Sequence, residues 1–443
     1  MSEGVHRYQY AEKDHLRMVF FIFTAKPVTI ADMSEKLSTD SYKGVRDFYP
    51  EDQYIQDYIT AVMRDVVERF GYVEYNASVL EPTELYAAKT GEEIVEEQTY
   101  TFVDRGDRSV TLRPEMTPTV ARMIAARKRE LPFPLRWYSI PNLFRYERPQ
   151  KGRLREHWQL NVDLFGIEGI FAELEVLTIA HAIMTSFGLT DEQFVIKIND
   201  RRLVNQYLRD AGLDENQIHR MQKLIDRKDK MDADAFRAES QAIAGDDFVY
   251  DPQPSDDVTM VLDVFNNAGI TNIEFDPAIM RGFDYYTGIV FEIYDTSAEN
   301  NRALFGGGRY DDLLAIFGEE KAPAVGFGMG DVTIRDVLET YNLLPDYVSP
   351  TDLYLVVAAP EHMIQIATLA NELREQGLAV ALGNPDKKVG DQIKHADKLA
   401  IPTVIVVGDQ ELANNTFTIK VLETGEESTV VREAIASFFT PNP

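Results

Sequence analysis

The chain contains no cysteine. That absence removes disulfides, thiolate nucleophiles and thiolate metal sites together, and it agrees with a reducing compartment. Histidine is also scarce: there are seven in 443 residues, and none has metal-ligand spacing such as H-E-x-x-H. The apolar run MVFFIFTA (Met18–Ala25) is too short to span a bilayer, and no membrane attachment is expected. The acids Glu3, Glu12 and Asp14 precede it and no clear cleavage site follows, so it is a poor signal peptide. Basic residues are the minority, 45 against 73 acids, for a net charge of −28. An acidic surface argues against nucleic-acid binding by overall charge and leaves any RNA contact to local basic patches. Three such patches exist, at Arg122–Arg129, Arg148–Arg155 and Lys387–Lys398. Internal repeats and low-complexity tracts are absent too.

What remains is ordinary for a globular protein of two or three domains, with 44% hydrophobic and 27% charged residues. Within it, Phe144–Gly166 reads as strand, basic turn, strand. In the second strand Trp158, Leu160, Val162 and Leu164 fall on one face, and Gln159, Asn161 and Asp163 on the other. Period-two alternation of this kind marks a strand with one face on a core, and here the other face carries amides and a carboxylate. Arg145 and Glu147 share a face of the first strand, and the turn carries Arg148, Lys151, Arg153 and Arg155. Arginine in such a turn can hold a phosphate through paired hydrogen bonds, although a solvated charged tip is the plainer reading.

Upstream, Tyr54–Phe70 has apolar residues at spacings of three and four and is stopped by Gly71, which predicts an amphipathic helix. Tyr72–Val79 reads as a strand. Thr101–Val103 and Val110–Leu112 read as a hairpin that leads into Arg113–Thr117, and Pro118 opens a helix to about Arg129. Glu115, just past a strand end, can receive an ammonium group, although a surface acid is the plainer reading. Downstream, Phe171–Phe187 predicts a helix, and Arg201–Asp246 a charged helical region. Tyr286–Tyr294 alternates as a strand introduced by Arg281. Leu304–Leu314, LFGGGRYDDLL, reads as a glycine-rich turn opening a helix. It fails the dinucleotide pattern, because Asp311 stands where the third glycine belongs. Pro323–Gly330 reads as a strand entering a helix from Asp331 to Leu343, with Asp331 as its N-cap. Beyond the prolines at 345 and 350, strands and helices alternate to the C-terminus, which predicts a largely parallel α/β domain with a last helix over Val430–Phe439.

Several of these strings resemble one family. FRYERPQKGR resembles motif 2 of the class II aminoacyl-tRNA synthetases and of the histidyl enzymes in particular, GVRDFYPED with its helix resembles motif 1, and PAVGFGMG resembles motif 3. RGFDYYTG and LFGGGRYD resemble the two signatures of the histidyl-tRNA synthetases, and KKVGDQIKHADKLAIPTVIVVGDQE resembles their anticodon-binding domain. The resemblance runs from about Tyr42 to the C-terminus. It implies an α+β fold: residues 33–345 form a class II catalytic domain, an antiparallel sheet flanked by helices with a helical insertion near 201–268, and residues 346–443 an anticodon-binding α/β domain. Residues 1–32 stand outside it and are expected to be a dispensable extension, with a targeting segment as the weaker choice.

The implied function is ATP-dependent ligation of L-histidine to histidine tRNA by a cytoplasmic homodimer, with ATP as substrate and Mg²⁺ bridging its oxygens. By the same resemblance Arg145 and Arg281 grip the substrate carboxylate and α-phosphate. Glu115, Met116, Thr117 and Gln159 bound the ammonium end, while Asp163, Tyr285, Tyr286 and Tyr310 bound the imidazole. Glu147 and Gly330 join Arg145 and Arg281 around ATP, and Arg148, Gln150, Lys151 and Arg153 face tRNA. One departure stands out: motif 3 normally carries a Glu-Arg pair where this chain has Val332 and Thr333, and Arg335 lies two residues too late. That departure keeps a second reading open, a histidine-binding regulatory paralogue that assists an ATP phosphoribosyltransferase.

Overall fold

The computed structural model describes residues 37–87, 98–150, 152–225, 227–228, 231–280, 285–297 and 302–439. The extension 1–32 therefore lies outside the described residues. The chain divides into two units, residues 1–42 and 43–443. Every described helix and strand belongs to the second.

Helix α1 (Pro50–Arg69) starts with proline in its first turn followed by Glu51 and Asp52, and buries Ile55, Ile59, Met63, Val66 and Val67. Proline has no N–H to leave unpaired at a helix start, and acids there face the positive end of the helix dipole. Gly71, at φ 82°, ends it in a backbone conformation that favours glycine. The chain then forms β1 (Val73–Glu74), β2 (Leu80–Pro82), α2 (Thr83–Ala87), β3 (Tyr100–Val103), β4 (Ser109–Leu112), α3 (Thr117–Arg127), β5 (Leu135–Ser139), β6 (Asn142–Phe144) and β7 (Glu156–Phe165). Next come α4 (Phe171–Ser186), β8 (Phe194–Asp200), α5 (Arg201–Asp210), α6 (Glu215–Ile225), α7 (Ala233–Ala244), α8 (Asp256–Asn267) and β9 (Ile273–Phe275). β10 (Ile289–Asp295), β11 (Ala303–Arg309), β12 (Ala324–Gly330) and α9 (Asp331–Thr340) complete this part of the chain.

The main sheet runs β1-β5-β7-β12-β11-β10-β8-β9, with β6 added to β7. All its pairings are antiparallel except the two outermost, β1 with β5 and β8 with β9. One face packs on α1, α4, α8 and α9 around Leu160, Val162, Leu164, Val325 and Met329. The other face carries a smaller cluster with α3, Met116, Tyr285, Tyr286 and Tyr310. This is the antiparallel sheet flanked by helices that the resemblance implies. The alternation in β7 is also as expected, although both of its faces are covered from Leu160 onward.

Four local expectations change. Leu304–Leu314 is not a turn opening a helix: Ala303–Arg309 is strand β11, hydrogen-bonded on both sides, and only a short 3-10 segment (Leu313–Phe317) comes after it. Its glycines do not serve a turn. A Cβ on Gly307 would collide with the Gly326 carbonyl, and one on Gly306 with the Phe291 carbonyl. The regular strand of the hairpin's first arm stops at Phe144, so Arg145 and Glu147 lie beyond it, although the Arg145 N–H still donates to the Arg155 carbonyl (2.8 Å). Tyr286 precedes its strand, which begins at Ile289. Asp331 is not the N-cap of α9; Gly330 is, and the Asp331 carboxylate bonds elsewhere.

The C-terminal sheet is built from β13 (Leu353–Val357), α10 (Met363–Glu375), β14 (Val380–Leu382), α11 (Val389–Lys398), β15 (Thr403–Val407), α12 (Asp409–Asn414), β16 (Thr416–Val421), β17 (Glu427–Val431) and α13 (Ile435–Phe439). Its order is β14-β13-β15-β16-β17, parallel up to β15 and antiparallel after it. The expected last helix is thus shorter. The residues before it, STVV at 428–431, are hydroxyl-bearing or β-branched, and they pair with β16 across a turn at Gly425 (φ 73°) instead.

Gly307→Ala should test the close packing of β11 on β12. Neither backbone can retreat without breaking the ladder, so a loss of roughly 3 kcal/mol or more is expected. A melting temperature within a degree or two of wild type would show that the strands have slack.

Candidate active site

A polar cavity opens on the sheet face away from α1 and α4. Its walls are Glu115, Thr117, Arg145, Gln159, Asn161, Asp163, Tyr285, Tyr286, Gly306, Tyr310, Gly326, Phe327 and Gly328. Three elements supply the charged groups. Beyond β4, the Arg113 side chain donates to the carbonyls of Asn142 (2.9 Å) and Ala77 (2.8 Å), which pins the loop holding Glu115. Beyond β6, the Nε of Arg145 donates to the Pro114 carbonyl (2.9 Å), which ties the guanidinium to that same loop. Along β7, Gln159, Asn161 and Asp163 come at every second residue and share the cavity face.

The neighbouring strand leaves room for them. β12 pairs Gly326 with Asp163, Gly328 with Asn161 and Gly330 with Gln159. A Cβ on Gly326 would strike the Tyr310 hydroxyl and the Asp163 carboxylate, and one on Gly328 would strike the Gln159 amide. The alternate glycines of PAVGFGMG are therefore a floor without side chains. Over it the Tyr310 hydroxyl donates to Asp163 Oδ1 in a short hydrogen bond. Tyr285 donates to Glu115 Oε2 (3.3 Å), and its ring lies 4.8 Å from that of Tyr286 and 5.9 Å from that of Tyr310.

Burial is the dominant electrostatic effect. It pushes the Asp163 carboxyl up to about 7, against the pull of the Tyr310 and Tyr75 hydroxyls. Asp163 Oδ2 and Gln159 Oε1 are buried acceptors with no hydrogen-bond partner among the described residues. Native proteins seldom leave such atoms unmatched, so this end of the cavity suits a ligand rich in N–H donors. Near the start of β7, burial and then the charges of Arg145 and Arg46 bring the His157 imidazole down to about 3, which keeps it neutral.

Most of the expected amino-acid residues meet here: Glu115, Thr117, Arg145, Gln159, Asp163, Tyr285, Tyr286 and Tyr310 all line one cavity. Met116 does not; it is fully buried in the core beneath. Glu147 lies outside the lining and pairs with Arg153 (3.2 Å). Gln150 forms an isolated bridge with Arg153, Arg148 is exposed, and Gly330 caps α9. Arg281 and Lys151 lie outside the described residues.

The altered motif 3 has a clear local geometry. The Thr333 hydroxyl donates to the Leu304 carbonyl (2.7 Å), and Arg335 points away to Asp52 (3.0 Å) and Glu339 (2.9 Å). Arg335 therefore does not stand in for the absent arginine. The cation at the start of α9 comes from far upstream instead: Arg46 Nη2 contacts the buried Asp331 Oδ2 (2.6 Å), while Asp331 Oδ1 accepts from the Trp158 N–H (2.9 Å). Sequence reading gave no site role to Arg46, although it lies in the motif 1 string, nor to Asn161, Gly326 and Gly328, whose spacing was visible.

The chain is similar to known proteins of one family. A profile of the histidyl-tRNA synthetase family matches residues 44–248 and 251–332, and a profile of the anticodon-binding domain matches 352–441. The histidine–tRNA ligase of Leptospira biflexa is 42% identical over 409 residues, 87% of this chain and 94% of that one. The crystal structure of S. aureus histidyl-tRNA synthetase superposes with a TM-score of 0.69 at 28% identity, covering 91% of this chain and all (100%) of that one. A Bacillus halodurans structure described as an ATP phosphoribosyltransferase regulatory subunit/histidyl-tRNA synthetase shares the fold, with a TM-score of 0.67 at 23% identity over 85% of this chain and 100% of its own.

The buried carboxylate has a measurable signature. Its folded value, about 7, lies above its ordinary 3.8, so the unliganded fold keeps a proton that the unfolded chain releases. The stability carried by the protonated form is full below about pH 4 and is lost as pH rises through about 7. Asp163→Asn mimics the neutral form. Relative to wild type it should gain roughly 1–4 kcal/mol at pH 8 and almost nothing at pH 4. Equal melting shifts at both pH values would refute a raised Asp163.

Proposed function

The chain belongs to the histidyl-tRNA synthetase family, and from that premise we infer how its site works as a histidine–tRNA ligase. The enzyme activates L-histidine with ATP to histidyl-adenylate and pyrophosphate, then transfers the histidyl group to the 3′ end of histidine tRNA. The observation that carries the assignment of the pocket is the Asp163–Tyr310 pair on a floor of glycines, with Glu115 in the same cavity. Histidine is a donor at both ends, with an ammonium and an imidazole N–H. The cavity offers a carboxylate for each: Glu115 with Thr117 and Gln159 for the ammonium, and Asp163 with Tyr286 for the ring. An amino acid lacking the ring N–H leaves Asp163 Oδ2 buried without that donor, and such mismatches are rejected by as much as ~10⁴ to 10⁵.

In the first step a histidine carboxylate oxygen bonds to the α-phosphorus of ATP as the bond to the pyrophosphate oxygen breaks. The electron pair leaves with pyrophosphate, and no proton need move. What the site must supply is positive charge on the developing phosphorane. Arg145 lines the cavity beside the Glu115 loop and takes that role with Arg281, which the resemblance assigns to the same task. Glu147 and Gly330 flank the nucleotide, and Thr333 at the start of α9 offers it no charge, since Arg46 there is already paired with Asp331. Arg148, Gln150, Lys151 and Arg153 in the hairpin turn face the acceptor end of tRNA. Among the described residues no group of three or more acidic or histidine side chains could hold a metal ion. Magnesium, brought with ATP, would supply positive charge to its phosphates.

A cytoplasmic homodimer is the assembly this reading implies, and no helix among the described residues is long and apolar enough to cross a membrane. The regulatory reading draws on two observations, the altered motif 3 and the fold shared with the Bacillus halodurans protein. It predicts histidine binding without adenylate formation.

Histidine-dependent ATP–pyrophosphate exchange separates the two. We expect exchange from wild type, and Arg145→Ala should lower it by about a hundredfold or more, since a charged hydrogen bond contributes roughly 1.5–3 kcal/mol and a guanidinium can make two in parallel to a carboxylate or phosphate. Arg145→Lys keeps the charge without the fork and should recover only part. Circular dichroism must confirm folding. Histidine binding without exchange in wild type would decide for the regulatory reading.

A further inference from the structure

Asp163 has one oxygen matched by Tyr310 and one that is not. Two more buried polar atoms lie close by without a partner of normal hydrogen-bond geometry among the described residues: Tyr75 Oη and Ser139 Oγ. The sheet explains how they meet. Ser139 belongs to β5, which lies between β1 and β7. In β5, Trp137 pairs with Asp163 and Ser139 with Asn161, so both face the cavity side. Tyr75 directly follows β1, and its N–H donates to the Tyr138 carbonyl (2.8 Å), which continues the strand pairing for one more residue. Its ring packs 5.7 Å from that of Trp137, and it belongs to the same buried cluster as Tyr285, Tyr286 and Tyr310. Because Ser139 is small, the phenol can reach across β5 toward the carboxylate.

We propose that Tyr75 is a positioning residue for histidine specificity: its hydroxyl and that of Tyr310 form a two-phenol cradle for Asp163, which aims Oδ2 at the imidazole N–H. The inference rests on the histidine pocket assigned above. A carboxylate oxygen accepts two hydrogen bonds, so Oδ2 can receive Tyr75 and the ligand together. Without the cradle, Asp163 would be free to rotate about its terminal torsion, which is intrinsically soft. Ser139 completes the arrangement, since its hydroxyl can donate to the Tyr75 oxygen and leave the phenol proton for Asp163. The groups facing this carboxylate are Tyr75 from the end of β1 and Tyr310 from the end of β11, while Ser139 from β5 faces the Tyr75 hydroxyl and Tyr72 acts from farther off. Arg113 acts on Tyr75 from farther off, and Tyr285 and Tyr286 act on Tyr310. Tyr75 favours the ionised carboxylate, so removing its hydroxyl makes Asp163 harder to ionise.

The test compares Tyr75→Phe with wild type by calorimetric titration with L-histidine from pH 5.5 to 8.5, alongside exchange kinetics. The expected result is about a tenfold loss of histidine affinity at pH 7, ~1.4 kcal/mol. The acidic limb of the affinity profile should move to higher pH, while the ATP KM and the melting temperature stay near wild type. Tyr75→Phe with unchanged affinity and an unchanged pH limb overturns the proposal. So does equal weakening toward histidine and ATP with a lowered melting temperature, which would make Tyr75 a packing residue. If wild type binds histidine but fails to exchange, the ligase reading falls while the binding comparison still decides the role of Tyr75. Wild type that binds no histidine overturns both.

Discussion

Burying one carboxylate shapes the centre of this sheet. A carboxylate in a dry site must be matched by donors or it takes up a proton. Asp163 lies on a middle strand with both neighbours paired, so its donors must come from side chains that cross those neighbours. Tyr310 crosses one of them only because Gly326 has no side chain in the way. The glycines of β11 and β12 answer the same demand: they bring the strands close and leave a floor that polar groups can share. The tyrosine cluster stacked above then closes the pocket to water on that side. A ligand with ring N–H donors is the natural complement to what remains unmatched.

The corner at the start of α9 obeys a different logic. There the chain lacks the Glu-Arg pair that the resemblance implies, and its neighbours are arranged around the residues that stand in those places. Thr333 turns its hydroxyl to the Leu304 carbonyl, and the preceding Asp331 is buried. A buried acid at the start of a helix is favoured by the helix dipole, and Arg46 with the Trp158 N–H satisfies both its oxygens. Segment 44–48 is thereby tied to motif 3, and the Gly44 carbonyl accepts from the Arg155 N–H at the base of the motif 2 turn (2.7 Å). Three stretches far apart in sequence thus form one polar corner around His157, which the neighbouring arginines help keep neutral.

Much of the molecule is legible in its residues alone. Alternation in β7 separates the core face from the polar face, and the helix of motif 1 announces itself by its spacing of three and four. The densest strings, RGFDYYTG and FRYERPQKGR, point to the family. The glycine run at 306–308 misleads, because glycine punctuates turns far more often than it permits two strands to touch. The distinction depends on what lies opposite, here Gly326 and Phe327. The length of the last helix misleads for a related reason, since STVV at 428–431 joins a strand only when β16 is there to receive it.

The sequence by itself determined most of the order of elements and the polar face of β7 through local period and composition, and it pointed to the family and the charged groups of the pocket through the resemblance of its motifs. Only the tertiary structure decided which groups act together. It turned Met116 into the core between Glu115 and Thr117, sent Arg335 to Asp52, brought Arg46 to Asp331 and set Tyr75 beside Asp163. Each of these depends on strand order and register, and no local pattern encodes which strand lies beside which.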